Sequence, residues 1–537
     1  ATFTAPGPLD ARIVDHAFVH ASTTGASSLG GSSFLVDGTA EFRNTGTLAI
    51  AANETGRFDL AGTGRFVNTG TLNVDPGLVV DEAAGSALPG DVAVSLTFDN
   101  AGTVTVEQGF LRLLGGGTHS GSFVGNGDIA DNAAARIRVG GTQSFTAGAS
   151  VTGPSFGVLS GATDFQGTLA VQSLFLGPGG ELTLAADLSL ARLALQADDT
   201  AGPSRLTSTG AIDVSEQFLW SGGTIAGAGT IDVGTAAVAF YGDELAATAP
   251  QLVLDGLTLT HGATGAGSSF AGGELLLENG ARFVNSGALA VADANGTGVR
   301  FAGAPGGEFL NSGSLDATVP LTLAVDSTNT GTLTAQSLGL EAPATFSVAD
   351  GTVAIAGTFD AAGTVDLAGG ALAAATTQLS GTLTGNGTLG GTLVNSGLVS
   401  PGNSPGMLTV DGDYVQTPTG RLRIEIDGAA AEPGTDFDAL MVTGSATFDG
   451  TLELETLENF EGELGAAFQP ISYGTGSGDF ATVEQPTAAN VTFDPVIGAT
   501  GVETTLTEQD GEVFVPPEDD DDDEPFDPEN PPVVEDP

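Results

Sequence analysis

The chain has 537 residues, a formal net charge of -53, 82 glycines and no cysteine, and all 13 basic side chains are arginine. This excludes a disulfide framework and a thiolate metal site. It also makes nucleic acid and an anionic membrane surface poor partners, because little can neutralise phosphate. At 41% hydrophobic the chain can still bury a core, and its glycines lack the three-residue period of collagen. No run of 18 apolar residues is present, so no transmembrane helix is expected. Many carboxylates without lysine suit a salty, extracellular setting.

The sequence opens Ala1-Thr2-Phe3 without Met, which fits a mature chain after signal-peptide removal. Residues 1–30 are expected to form an N-terminal cap or strand segment. LDARIVDHAFVHA, residues 9–21, is the one stretch that accommodates a short helix. Asp15, His16 and His20 lie there. On a helix the two histidines would make half a metal site; on a strand they would share a face. A third ligand is not evident.

One pattern then recurs. It reads FRNTGTLAI (42–50), FVNTGTLNV (66–74), FDNAGTVTV (98–106), FVNSGALAV (283–291) and FLNSGSLDA (309–317). Trimmed copies begin at Asn329 and Leu393. Phe42, Asn44, Gly46, Leu48 and Ile50 share one strand face, and Arg43, Thr45, Thr47 and Ala49 share the other. Asn followed by a small residue and Gly is turn chemistry. Because the copies agree in register, Asn44, Asn68, Asn100, Asn285 and Asn311 are expected to stack as a ladder. Short alternating strands separated by Gly pairs fill the intervals, as in FLWSGGTIAGAGTIDV (218–233) and VAIAGTFDAAGTVDLAGGAL (353–372).

A coil of this kind cannot bury its apolar face alone, so coils must stack. The predicted fold is all-β: a right-handed parallel β-helix of about 20 coils over residues 31–428, on the order of 100 Å long at ~4.8 Å per coil. A C-terminal β cap module is expected over residues 429–512, and an acidic Pro-rich linker or tail over 513–537.

Catalytic constellations are sparse. The four histidines are His16, His20, His119 and His261, and no Gly-x-Ser-x-Gly elbow accompanies them. SGSFVG (120–125), beside His119, reads as repeat. Paired carboxylates such as Asp360 and Asp366 would be needed for glycan cleavage, but among 66 acids pairs carry little information. A lyase with a lysine base is excluded. Trp220 and three tyrosines, Tyr241, Tyr414 and Tyr473, are few for a sugar-binding groove, and most of the 29 phenylalanines fall at inward positions.

SPGNSPGMLTVDGDYVQTPTGRLRIEIDG (400–428) closely resembles the C-terminal part of autotransporter passengers and related secreted bacterial β-helix surface proteins. DFDALMVTGSATFDGTLELETL (436–457) and LGAAFQPISYGTGSGDFATVE (464–484) continue the resemblance, which covers most of residues 40–485. It implies a β-helix at a bacterial surface or outside the cell. It leaves adhesin, protease and esterase roles open. It implies tight turns at Pro401-Gly402 and Pro405-Gly406, where the regular coil would end. Where that family continues into a membrane β-barrel, this sequence runs VPPEDDDDDEPFDPENPPVVEDP.

The acids Asp519, Asp520, Asp521, Asp522, Asp523 and Glu524 read first as a solvated tail. Their functional reading is loosely held calcium, the only cofactor in view, without the Asp-x-Asp-x-Asp-Gly loop of a tight site. The expected function is a secreted structural or adhesive rod, not an enzyme. Its partners would be other copies of itself or surface and matrix glycans, with no membrane-spanning segment. Self-assembly would proceed by end-to-end stacking or by strand donation from residues 1–18 or 511–515. The alternative is a carbohydrate-active β-helix enzyme using paired carboxylates.

Overall fold

The computed structural model describes residues 2–4, 11–22, 27–52, 56–81, 86–131, 134–197, 202–234, 237–241, 251–265, 267–292, 296, 298–428, 432–457, 460, 462–487, 491–509 and 511–514. Tyr241 is included, but its side chain is not described. Among these residues there is no helix, and 56 strands belong to one continuous hydrogen-bonded sheet. The sheet winds into a parallel β-helix with three faces. The first face contains Thr47–Ala51, Thr71–Asp75 and Thr103–Val106, paired parallel and in register. The second contains Arg57–Ala61, Asp91–Val94 and Phe110–Leu113. The third contains Glu41–Asn44, Arg65–Asn68 and Thr97–Asn100. About 22 levels stack along the first face, roughly 100 Å at ~4.8 Å per level.

Alternation decides which side chains enter the core. Phe42, Asn44, Leu48 and Ile50 are buried, while Arg43, Thr47 and Ala49 between them are partly exposed. Register then stacks like on like. The rings of Phe18, Phe42, Phe66 and Phe98 form one column with centroids 5.1, 4.9 and 5.3 Å apart. Each such pair adds about 0.5–1.5 kcal/mol beyond its buried area. Phe283 and Phe309 repeat the arrangement at 5.5 Å.

The repeat's glycine is set by close approach of the backbone. A Cβ on Gly102 would collide with the carbonyl oxygen of Gly70 below it, and one on Gly70 with that of Gly46. The corner closes where the upper coil brings a glycine over the carbonyl below, whatever residue carries that carbonyl, as Gly46 does over Ser22 and Gly287 over Ala263.

Three expectations change. No helix forms over residues 11–21, the described part of that stretch: Ala11–Val14 and Ala17–His20 are strands, joined by a turn with Asp15 at φ 53. Register with Phe34–Asp37 and Glu41–Asn44 overrides any helical tendency. Parallel stacking also does not end at residue 428. It continues through Ala439–Phe448, Thr451–Thr456 and Ala467–Gly478, whose apolar residues keep the same inward period. The Pro-Gly pairs therefore sit in a turn between stacked strands, Leu398–Pro401 and Met407–Asp411.

The topology changes at the far end. Gly501–Gln509 runs antiparallel to Ala467–Gly478 and to Val491–Ile497. Gln485 clamps Phe493 through two bonds of 2.8 Å, one to each backbone polar group. Phe493, Val502 and Leu506 are buried beneath this cap. At the opposite end, no strand among the described residues pairs with the outer edge of Ala11–Val14 or Ala17–His20. Val14 and Val19 are 42% and 57% exposed there.

Gly102→Ala should lower the unfolding free energy by about 1–3 kcal/mol, because the new methyl meets backbone that cannot give way. Gly265→Ala, with open space around the position, should change it by less than about 0.5 kcal/mol. Urea unfolding of the two variants measures the difference.

Candidate functional site

The buried polar groups come first, because they decide whether the interior holds a reactive site. Asn44 Nδ2 donates to Asn68 Oδ1 at 2.8 Å, and Asn68 Nδ2 donates to Asn100 Oδ1 at 2.8 Å. Asn100 Nδ2 ends the row on the Ser122 carbonyl at 3.2 Å. A second row runs from Asn285 to Asn311 and on to Asn329, each step 2.7 Å. Every asparagine of both rows reaches a backbone carbonyl of the next repeat, as Asn44 does at Thr71 and Asn285 at Ser314.

These rows are polar in one direction. Every amide donates toward the C-terminus, so the first Oδ1 of a row needs a donor from the coil before it. Histidine supplies it. His20 Nδ1 lies 2.7 Å from Asn44 Oδ1, and His261 Nδ1 lies 2.7 Å from Asn285 Oδ1. Since each asparagine's Nδ2 is already donating, both histidines carry their proton on Nδ1. Ser268 Oγ donates to His261 Nε2 at 2.9 Å. Both histidines precede their asparagine by 24 residues. That spacing was the available signal for their role, which sequence reasoning missed.

The two rows occupy different corners. Phe42 to Asn44 lies on the third face and leads onto the first. Phe283 to Asn285 lies on the first and leads onto the second. One nine-residue motif thus serves two corners of the coil. At a later level of the original corner, Asn395 donates to Tyr414 Oη at 3.1 Å, and Tyr414 donates to Gln416 Oε1 at 2.5 Å.

The remaining histidines are equally committed. His119 Nε2 donates to Gln143 Oε1 at 2.9 Å, because Gln143 Nε2 is occupied by the Leu113 and Gly140 carbonyls. Phe123 and Phe145 pack on its ring, 5.1 and 4.5 Å between centroids. Burial pushes its pKa down to about 4, since its Nδ1 is buried without a hydrogen-bond partner among the described residues and the charged form would be desolvated. Burial also lowers His261. His16 is exposed on the turn, with Nδ1 2.7 Å from Val14 O. His16 and His20 therefore do not share a face, and Asp15 instead accepts from Thr39 N at 2.8 Å.

Asp360 lies on the third face and Asp366 on the first, so they do not form a pair. Their strands are long, Thr352–Ala361 and Thr364–Leu379, because both run around corners. Trp220 and Tyr414 are fully buried and Tyr473 is 4% exposed. Among the described residues, no group of three His, Asp or Glu is placed to hold a metal ion. The acidic run 519–524 lies outside the described residues.

Asp438 is the exceptional carboxylate, with 0% exposure. Its Oδ1 accepts from Gly406 N at 2.9 Å and its Oδ2 from Glu425 N at 3.1 Å. It thus ties the second Pro-Gly turn to two further strands. Burial pushes its pKa up to about 7 despite those bonds.

The outer surface holds open grooves. One, about 780 Å³, is lined by Ala335, Ala354 and Ala373. A second, about 510 Å³, contains the Arg65–Asp99 ion pair and Thr118. Smaller depressions lie among Arg112, Arg136, Arg138 and Arg192 on the second face. Sequence reasoning missed this cluster, because its members span many coils.

Asn68→Ala should cost about 1–3 kcal/mol, since it breaks two buried amide bonds at once, leaving Asn44 Nδ2 with only the Thr71 carbonyl and Asn100 Oδ1 with only the Gly102 N–H. Asn68→Asp should cost more, because it buries a charge facing that oxygen. Chemical denaturation of the two variants gives the comparison.

The pH dependence has two opposing parts. Between the ordinary carboxyl value of 3.8 and about 7, folded Asp438 holds a proton that the unfolded chain has released. Its contribution is full below that window and lost as pH rises through it. Between 6.5 and about 4, the unfolded chain takes a proton that folded His119 refuses. That contribution is full above the window and lost as pH falls through it. In thermal melts against pH, Asp438→Asn should remove the loss on the alkaline side and His119→Phe the loss on the acid side.

No known protein-family model matches this chain, and no curated protein matches it.

Proposed function

We propose that this chain is a secreted bacterial-type surface rod of the autotransporter-passenger kind, with a structural or adhesive role and no catalytic one. The observation that carries the reading is the continuous parallel stacking from Thr2–Thr4 to Thr482–Glu484, in register but for a few local shifts. Such a stack is stiff along its axis, because every coil is hydrogen-bonded to both neighbours. Three of its four histidines, His20, His119 and His261, and its buried amides are engaged in holding coils together. Chemistry directed at a partner falls to the outward Thr, Ser and Asp positions and to the ends.

Its partners are other copies of the chain or glycans of a surface or matrix. The antiparallel cap disfavours simple end-to-end stacking at the C-terminal end, since it covers an edge that would otherwise invite pairing. The high negative charge keeps rods apart in low salt, and divalent cations relieve that repulsion.

Negative-stain microscopy with calcium and with chelator tests the shape. Rods on the order of 100 Å are expected in both conditions, from ~4.8 Å per level. A compact envelope overturns the reading. Displayed on a non-adherent cell, the chain should raise attachment or clumping; release of product from a panel of glycans would instead make it an enzyme.

A further inference from the structure

In a chain of net charge -53, four arginines gather on the second face. Phe110 stands level with Arg136, and Arg112 with Arg138, on adjacent coils. Two levels further on, Ser173 stands level with Arg192. Between them, Ser155, Gly157 and Ser173 replace large side chains with small ones. Two adjoining depressions result, and Arg138 lines both. One, about 210 Å³, presents Arg136, Arg138 and Arg192 with the hydroxyl-bearing Ser155 and Ser173. The other, about 270 Å³, presents Phe110, Phe175 and Leu159 beside Arg112 and Arg138.

Arg138 is built into place. Its stem lies over Gly157, where a Cβ would come within 3.0 Å of Arg138 Cδ. Its guanidinium donates to Ile137 O at 3.1 Å and to Ser155 Oγ at 3.0 Å. It sits 5.5 Å from the Phe175 ring centroid and 6.0 Å from that of Phe110. Arg112 and Arg192 have carboxylate partners, Asp91 and Glu216. No carboxylate among the described residues lies within ion-pairing distance of Arg138. Burial, then Arg136 and Arg112, push its pKa down to about 10, so it stays a cation at neutral pH. A fixed, partly buried guanidinium beside aromatic rings favours a ligand carrying a carboxylate next to an apolar group.

We propose that this patch docks an acidic, phenylalanine-bearing peptide, and that its occupant is the segment DDDDDEPFD, residues 519–527, of a second copy of this chain. The acids match the arginine depression, and Phe526 matches the aromatic one. The acidic run of the same chain cannot reach it. From Arg192 to the capped end is about 12 levels, or ~58 Å at ~4.8 Å per level. From residue 514 to residue 524 the chain extends at most ~35 Å. The contact therefore joins one rod's end to another rod's side. Such a heterologous contact propagates into a chain of rods instead of closing. Screening within about 8 Å at physiological salt keeps the net repulsion of the rods from overriding the local attraction.

The docking site rests on the patch alone; only its biological sense rests on the rod reading. The test is fluorescence anisotropy of a labelled peptide of residues 515–537 titrated with the full chain. Saturable binding is expected, weakening with added salt. Arg138→Glu should reduce affinity at least about tenfold. Arg138→Lys, which keeps the charge but loses the fork, should reduce it less. A peptide with Phe526→Ala should bind several-fold more weakly. Arg282→Glu, the same charge change on the first face, should leave binding unchanged. Equal losses from Arg138→Glu and Arg282→Glu would reduce the effect to bulk charge and overturn the proposal. So would absence of peptide binding, or binding only of a uronate oligosaccharide, which would make the occupant a glycan. Microscopy of the same preparation reports the rod independently of these results.

Discussion

Parallel stacking at one strand spacing per coil is the constraint from which the rest follows. It places each inward residue directly above its counterpart, so a residue type succeeds only if it tolerates its own copy. Phenylalanine stacks ring on ring. Asparagine carries a donor and an acceptor on one planar group, so each copy satisfies the next. Glycine lets one corner backbone rest on another. Aspartate has only acceptors and a charge, and a buried row of it would repel itself. The acids accordingly face outward almost everywhere, and the chain bears its large negative charge without burying it.

An amide row has a head and a tail. Its tail ends on a backbone carbonyl, which every coil offers. Its head needs a donor with no acceptor demand toward the next coil, and a neutral histidine protonated on Nδ1 provides one. His20 and His261 begin their rows in this way. The sequence invites a metal or catalytic reading of its few histidines, and the core accounts for three of the four. Interior polar chemistry is thereby used in cohesion, and recognition is left to the outer faces. There the unusual feature is a guanidinium held without a carboxylate partner among the described residues of a strongly acidic molecule.

The corner change of the motif shows how local and global order relate. Phe-x-Asn-small-Gly makes a corner wherever it occurs, because its requirements are local: a bend, a close glycine and an amide facing the next coil. Which of the three corners it makes depends on how many residues the preceding coils have used. Smooth-cornered strands such as Ser150–Val158 and Thr168–Leu176 lie between the two sets. The asparagine rows at Asn44 and Asn285 are consequently two structures sharing one sequence signature.

The sequence by itself determined the parallel β-helix, the inward identity of Phe42, Asn44, Leu48 and their repeats, and the stacking of the asparagines. Each of these depends on alternation and repeat spacing, which are properties of a single strand and its nearest copy. Tertiary structure alone decided the rest. The N-terminal strands formed where a helix also fitted, because in-register pairing with the next coil outweighs local preference. Stacking ran past residue 428, because the inward period of residues 439–478 meets a coil already in place. His20 and His261 became row heads, and Arg112, Arg136, Arg138 and Arg192 became neighbours. Those relations depend on which residues share a level and a face, and that is set by the summed lengths of all the loops between them.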